Sequence, residues 1–159
     1  VRRYLLDTGP LAAYLLNRTA ATRIITPWTR QHEAVTSILV YGEIMEYLKG
    51  KPDFANRRTQ LNTLLRAVYP VSLTYATMER YADLRRVMRT PFGPGLIGDV
   101  DTLIAATALE RNLTVVTTDG DFQRIPGLTV HRRACFTQTL TDFVSVLVRA
   151  NIVQYRVER

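Results

Sequence analysis

The sequence predicts an α/β protein with a central, mainly parallel sheet flanked by helices. Two observations carry this. Short β-rich apolar runs alternate along the chain with longer segments of helical periodicity, the pattern of β–α units rather than hairpins. "LTVVTTD" (113–119) is apolar until its polar end, as an interior strand is when both of its faces are covered. At 159 residues the chain is most simply one domain with a sizeable core.

The elements follow in order. "RRYLLD" (2–7) predicts a short strand, and "GPLAAYLLN" (9–17) a helix with Pro10 in its first turn, where a missing N–H costs nothing. Residues 20–31 predict a second, short helix. "AVTS" (34–37) is a strand leading into "ILVYGEIMEYLKG" (38–50), a helix that stops at Gly50. Residues 53–68 form a helix with Asp53 as N-cap and a stripe of Phe54, Leu61, Leu64 and Leu65. "YPVSL" (69–73) is a strand. Residues 74–90 are an amphipathic helix with Tyr81, Leu84 and Met88 on one face and Arg80, Arg85, Arg86 and Arg89 mostly on others. "PFGPGLIG" (91–98) is a Pro/Gly loop, and "GDVDTLIAATALERN" (98–112) opens a well-buried helix with two acids in its first turn. A further strand is expected at 127–131 after the Pro126–Gly127 turn. From Ala134 a helix and then a final strand or arm, "IVQYRVE", are expected.

Composition narrows the chemistry. No apolar run approaches the roughly 18 residues that span a bilayer. The basic residues of "VRRYLLDTG" precede too short an apolar patch for a signal peptide. Cys135 is the only cysteine, which excludes an internal disulfide and suits a reducing cytoplasm. With one cysteine and two distant histidines, His32 and His131, a zinc site is not expected; a metal here would be a hard cation held by oxygen. The net charge is +7, and every basic residue except Lys49 and Lys51 is arginine. Such a surplus attracts polyanions, nucleic acid first, although an arginine-rich proteome would give the same bias.

The acids then sort by position. Ligands of parallel sheets bind outside the carboxyl ends of the strands. Asp7 ends the first strand and Asp119 a later one; Glu43 lies in the first turns of the helix after the second strand, and Asp101 in the first turn of its own helix. Each alone has an ordinary reading: a turn residue, a solvated helix position, a helix-dipole partner, an Asp-Gly turn. Together they converge on one rim, where four carboxylates repel unless a divalent cation neutralises them. Mg²⁺ fits, with Mn²⁺ as a substitute: such a metal polarises a phosphoryl oxygen and acidifies water, as phosphodiester hydrolysis requires.

"YLLDTGPLAAYL" (4–15), "SILVYGEIMEYLKG" (37–50), "GDVDTLIAATAL" (98–109) and "VVTTDGDF" (115–122) resemble the four acidic motifs of the PIN-domain nucleases, in the family's order. They are particularly similar to the VapC toxins of toxin–antitoxin pairs. The resemblance implies a PIN-like three-layer fold over residues 1–133; the stretch 134–159, long for a small member of that family, is expected to pack on the same domain. The resemblance also implies a Mg²⁺-dependent endoribonuclease, cytoplasmic and homodimeric, inhibited by a VapB-like antitoxin. By position, Asp7, Glu43, Asp101 and Asp119 would be the metal-site acids and Thr117 the hydroxyl that orders the fourth motif. Asp99 competes with Asp101, Glu46 with Glu43 and Asp121 with Asp119; Asp99 would otherwise shape its loop, and Asp121 support the turn that follows. Three other readings compete: a non-catalytic RNA-binding module, a metal-dependent DNA nuclease, and a phosphatase of the haloacid-dehalogenase type. That last chemistry wants a second aspartate two residues after the first, and Asp7 is followed by Thr8 and Gly9.

Overall fold

A computed structural model of the chain describes residues 1–132. The helix and arm expected from Ala134 onward lie outside the described residues, as does Cys135. Five strands form one sheet, β1 (Tyr4–Leu6), β2 (Ala34–Ser37), β3 (Tyr69–Val71), β4 (Thr114–Thr117) and β5 (Val130–Arg132), in the order β3-β2-β1-β4-β5. Every neighbouring pair is parallel: Leu5 lies opposite Val35 and Val115, and Thr117 opposite Arg132. Six helices connect them: α1 (Thr8–Leu15), α2 (Thr19–Arg30), α3 (Ile38–Lys49), α4 (Phe54–Ala67), α5 (Tyr75–Met88) and α6 (Asp99–Glu110). The mainly parallel α/β sheet read from the sequence is the one observed, and β4 is an interior strand.

The central strands bury Leu5, Leu6, Val35, Val115 and Val116, and the helices close over them with Leu11, Ile25, Ile44, Leu48, Leu61, Leu84 and Ile104. Each such side chain contributes about 1.5–3 kcal/mol through its removal from water. On α6 the buried residues include Ala105, Ala106 and Ala108, whose small side chains let this helix sit close against its neighbours. Along α5, Leu84 and Met88 are buried and Tyr81 packs against the core, the face its periodicity defines.

Three helices end by one device. Asn17, His32 and Asn112 each adopt a left-handed conformation, with φ of 53°, 55° and 52°. In each case that residue's own amide and the next one turn back to the last turn. Asn17 N–H donates to Tyr14 O and Arg18 N–H to Ala13 O; Glu33 N–H likewise reaches Trp28 O, and Leu113 N–H reaches Ala108 O. Carbonyls left over at the helix ends are thereby satisfied, and after α2 and α6 the chain is aimed straight into β2 and β4.

Two local expectations are corrected. Asp53 occupies the N-cap position of α4 but makes no capping bond, because its carboxylate is drawn to Arg57 Nε at 2.7 Å. The helix with a full capping box is instead α5: Thr77 N–H donates to Thr74 Oγ1 at 3.0 Å, and Thr74 N–H to Thr77 Oγ1 at 3.2 Å. The last strand also starts later than 127, since the turn from Ile125 includes Gly127 at φ 74° and delays pairing to Val130.

Candidate metal centre

The carboxyl end of the sheet gathers the acids. Asp7 follows β1 directly and is extended (φ −75°, ψ 170°), so its backbone closes both the strand and the helix. Its N–H donates to Val116 O at 3.0 Å, continuing the ladder, and its carbonyl accepts from Leu11 N–H at 3.1 Å, starting α1. An aspartate in that position ordinarily turns its carboxylate onto the helix amides. Asp7 makes no such bond; its Oδ2 accepts from the Thr117 hydroxyl at 2.6 Å.

That hydroxyl is a junction. Thr117 Oγ1 also accepts from Asp119 N–H at 3.0 Å, and Asp119 Oδ1 accepts from Asp121 N–H at 2.8 Å. Strand ends β1 and β4 are thus tied through side chains across the rim. Thr117 is fully buried, so its position is set by the core and it can hold the half-exposed loop after it.

Glu43 arrives from the middle of α3 and accepts a hydrogen bond from the Thr8 hydroxyl. Asp101 comes from the first turn of α6, two residues after Asp99. Successive helical residues are about 100° apart, so these two acids point in opposite directions. Asp99 turns to α5, accepting from Tyr81 Oη at 2.9 Å and pairing with Arg85 at 2.9 Å. Asp101 turns to the strand ends. Its carboxylate lies so close to Gly98 that a Cβ there would meet Oδ2 at 2.9 Å.

Electrostatics record the convergence. Burial first, then the negative charges of Asp7, Asp119, Glu43 and Asp121, push the Asp101 carboxyl up to about 7. Burial also raises Asp7, with Asp119 adding to the shift against the Thr117 hydrogen bond. Glu43 is raised by burial, opposed by Thr8 and helped by the charges of Asp7 and Glu46. Acids on four separate segments therefore sense one another. Glu46 is exposed, and Asp121 is engaged by Arg124 at 3.1 Å.

Ion pairs distinguish these acids from their nearest acidic neighbours, Asp99 and Asp121, though Glu46, Glu79 and Asp83 also have no arginine partner among the described residues. Glu33, Asp53, Asp99, Glu110 and Asp121 each have an arginine partner. Among the described residues no arginine, lysine or histidine pairs with Asp7, Glu43, Asp101 or Asp119. These four present an oxygen-only donor set of the kind a hard divalent cation takes. They do not close into a finished cage: no three His, Cys, Asp or Glu side chains among the described residues meet metal-binding geometry as they stand. Threonine hydroxyls hold Asp7 and Glu43 to the flanks of the rim, and like charge opposes closer approach.

Three further residues of the rim are not singled out by the sequence. Thr8 has a weak signal, a hydroxyl next to a strand-end acid. Gly98 directly precedes the acidic turn, and a side chain there would press on the Asp101 carboxylate. Arg132 closes β5 opposite Thr117, with its guanidinium about Gly120 and Nε donating to Thr118 O at 3.4 Å.

Comparison with known proteins agrees with the fold. The family model described as the PIN domain matches residues 4–128. Among solved structures, the fold is similar to a chain of VapBC2 from Rickettsia felis, solved bound to a promoter DNA fragment, with TM-score 0.73, 20% identity, and coverage of 82% of this chain and 98% of that one. A chain of DNA-bound VapBC from Salmonella typhimurium gives TM-score 0.73 and 18% identity, covering 83% and 98%. VapBC-1 from nontypeable Haemophilus influenzae gives 0.68 and 23%, covering 81% and 96%. No significant match is found among curated proteins.

Proposed function

The chain belongs to the PIN-domain family, and on that premise we propose that it is a Mg²⁺-dependent endoribonuclease, the toxin of a VapBC-type pair. The observation that carries the proposal is that Asp7, Glu43, Asp101 and Asp119, from four separate segments, gather at one rim with no arginine or lysine paired to them among the described residues, whereas Asp99 and Asp121 beside them are paired. A silent RNA-binding module has no use for an unneutralised cluster of this kind.

In this reading Asp7, Glu43, Asp101 and Asp119 hold Mg²⁺, or Mn²⁺ in its place. The bound metal supplies a polarised phosphoryl oxygen and a more acidic water. The chain's own contribution is placement. Thr117 fixes Asp7 Oδ2 and the Asp119 amide together, so two acids from different strands move as one unit. Thr8 orients Glu43, and the start of α6 lowers the cost of ionising Asp101. The surplus of arginine attracts the RNA backbone. A homodimer and a VapB-like antitoxin are the proposed partners, supported by the similarity to chains from VapBC complexes. No described helix is long and apolar enough to cross a membrane, in keeping with a cytoplasmic setting.

The test is cleavage of mixed tRNA and rRNA by wild type and Asp7→Asn, each with Mg²⁺ and with EDTA. Cutting by wild type with Mg²⁺ alone is the expected result. Equal cutting by the two proteins removes Asp7 from the chemistry.

A further inference from the structure

Arg124 lies in the single 3₁₀ turn after the fourth acidic motif, Asp121–Arg124, and makes an unusual set of contacts for an exposed arginine. One guanidinium nitrogen donates to Pro94 O at 2.8 Å and Gly95 O at 3.0 Å, some thirty residues away in sequence. The other pairs with Asp121 Oδ1 at 3.1 Å. Gly95 sits at φ 97°, and a Cβ there would lie 3.2 Å from the same guanidinium, so the close approach depends on glycine twice over.

Both ends of this bridge lead to acids of the rim. On one side, Asp121 N–H donates to Asp119 Oδ1, whose own amide donates to Thr117 and so reaches Asp7. On the other, the 91–98 loop runs into Gly98 and the first turn of α6, which carries Asp101. Arg85 holds the same loop further along, donating to Ile97 O at 3.3 Å. Of the hydrogen bonds described, only those of Arg124 join the 91–98 loop to the Asp119–Asp121 turn.

We propose that Arg124 is a positioning residue: it clamps the 91–98 loop to the Asp119–Asp121 turn and thereby sets the separation of Asp101 from Asp119. The proposal rests on the metal-centre reading and extends it to a residue that never touches the metal. A planar, forked guanidinium suits the task, because one nitrogen reaches two carbonyls while the other reaches a carboxylate in a fixed plane, whereas lysine offers its donors from a single point. Groups that orient metal ligands from behind typically cost roughly 10–100-fold in metal affinity when lost.

The experiment uses the whole chain as wild type, Arg124→Met, Arg124→Lys and Asp121→Asn. Each is read by Mn²⁺ titration, by amide exchange across residues 92–98, and by thermal melting. Arg124→Met is expected to raise the Mn²⁺ half-saturation concentration about tenfold and to speed exchange in the loop, with Arg124→Lys in between. Asp121→Asn shifts the Mn²⁺ curve the same way, and combining it with Arg124→Met adds less than the sum. A faster-exchanging loop with an unshifted Mn²⁺ curve overturns the positioning role and leaves a merely structural one. Unchanged exchange with normal Mn²⁺ binding overturns the clamp itself. A wild type that binds no Mn²⁺ overturns the metal-centre reading first, and the positioning role falls with it.

Discussion

The two ends of the sheet treat charge in opposite ways. At the amino end, Glu33 pairs with Arg3, Arg2 donates to Ala34 O at 3.0 Å, and Glu110 takes both Arg111 and the Thr77 hydroxyl. Glu33 and Glu110 there each have an arginine partner. At the carboxyl end, Asp7, Glu43, Asp101 and Asp119 have hydroxyls, amides and one another. Folding alone does not favour that arrangement, since burial and nearby negative charge both disfavour the ionised carboxylates of Asp7, Glu43 and Asp101. The difference teaches where this fold gives up stability, and hence where its chemistry is to be sought.

The contrast is broken most severely by removing one rim charge. Asp101→Asn is expected to reduce RNA cleavage by on the order of 10²–10³-fold or more, with the far-ultraviolet spectrum unchanged. Loss of folding on this substitution would make Asp101 a structural acid like Asp99. Glu33→Gln at the amino end is the matched control: an ordinary pair costs about 0–1 kcal/mol and cleavage stays at the wild-type level.

A subtler test is the pH dependence of the metal-free protein. Asp101 is pushed up to about 7 when folded, against about 3.9 for an unperturbed aspartate. Between those values the folded chain holds a proton that the unfolded chain has released, so stability falls as pH rises through the window. Asp7 and Glu43 shift in the same direction. The exposed Asp53 shifts the opposite way, and its contribution is lost only in stronger acid. Thermal melts in EDTA should drop by about 2–6 °C from pH 5 to pH 7.5, and Mg²⁺ should restore the loss at the higher pH. A melting temperature that rises over the same window would contradict the electrostatic description of the rim.

The smallest effect concerns the junction. Thr117→Val keeps the buried shape but removes the donor to Asp7 and the acceptor for the Asp119 amide, costing about 1–3 kcal/mol in chemical denaturation. Weakened cleavage at low Mg²⁺ that recovers at high Mg²⁺ would mark its role as orientation.

Much of this was legible in the sequence because it depends on position along the chain. β2 falls on residues 34–37 as read, since it begins after Glu33 and ends on Ser37, whose hydroxyl caps α3. The four acids could be assigned to one rim because strand ends and helix starts share an edge in any parallel sheet. Asp99 and Asp101 could not be separated by that rule; their directions are decided by the Arg85 and Tyr81 side chains of α5. The same limit hid the Thr8–Glu43 bond and the Arg124 bridge, which join residues 35 and about 30 positions apart. Asp53 failed as a cap for a local reason, competition from Arg57 one turn on.

Calorimetric titration of the metal-free protein with Mn²⁺ tests most directly whether the four rim carboxylates form a cation site. Wild type should give a saturable isotherm that Asp7→Asn abolishes while Glu33→Gln leaves it intact. Identical isotherms for wild type and Asp7→Asn, or no binding by wild type, would contradict such a site.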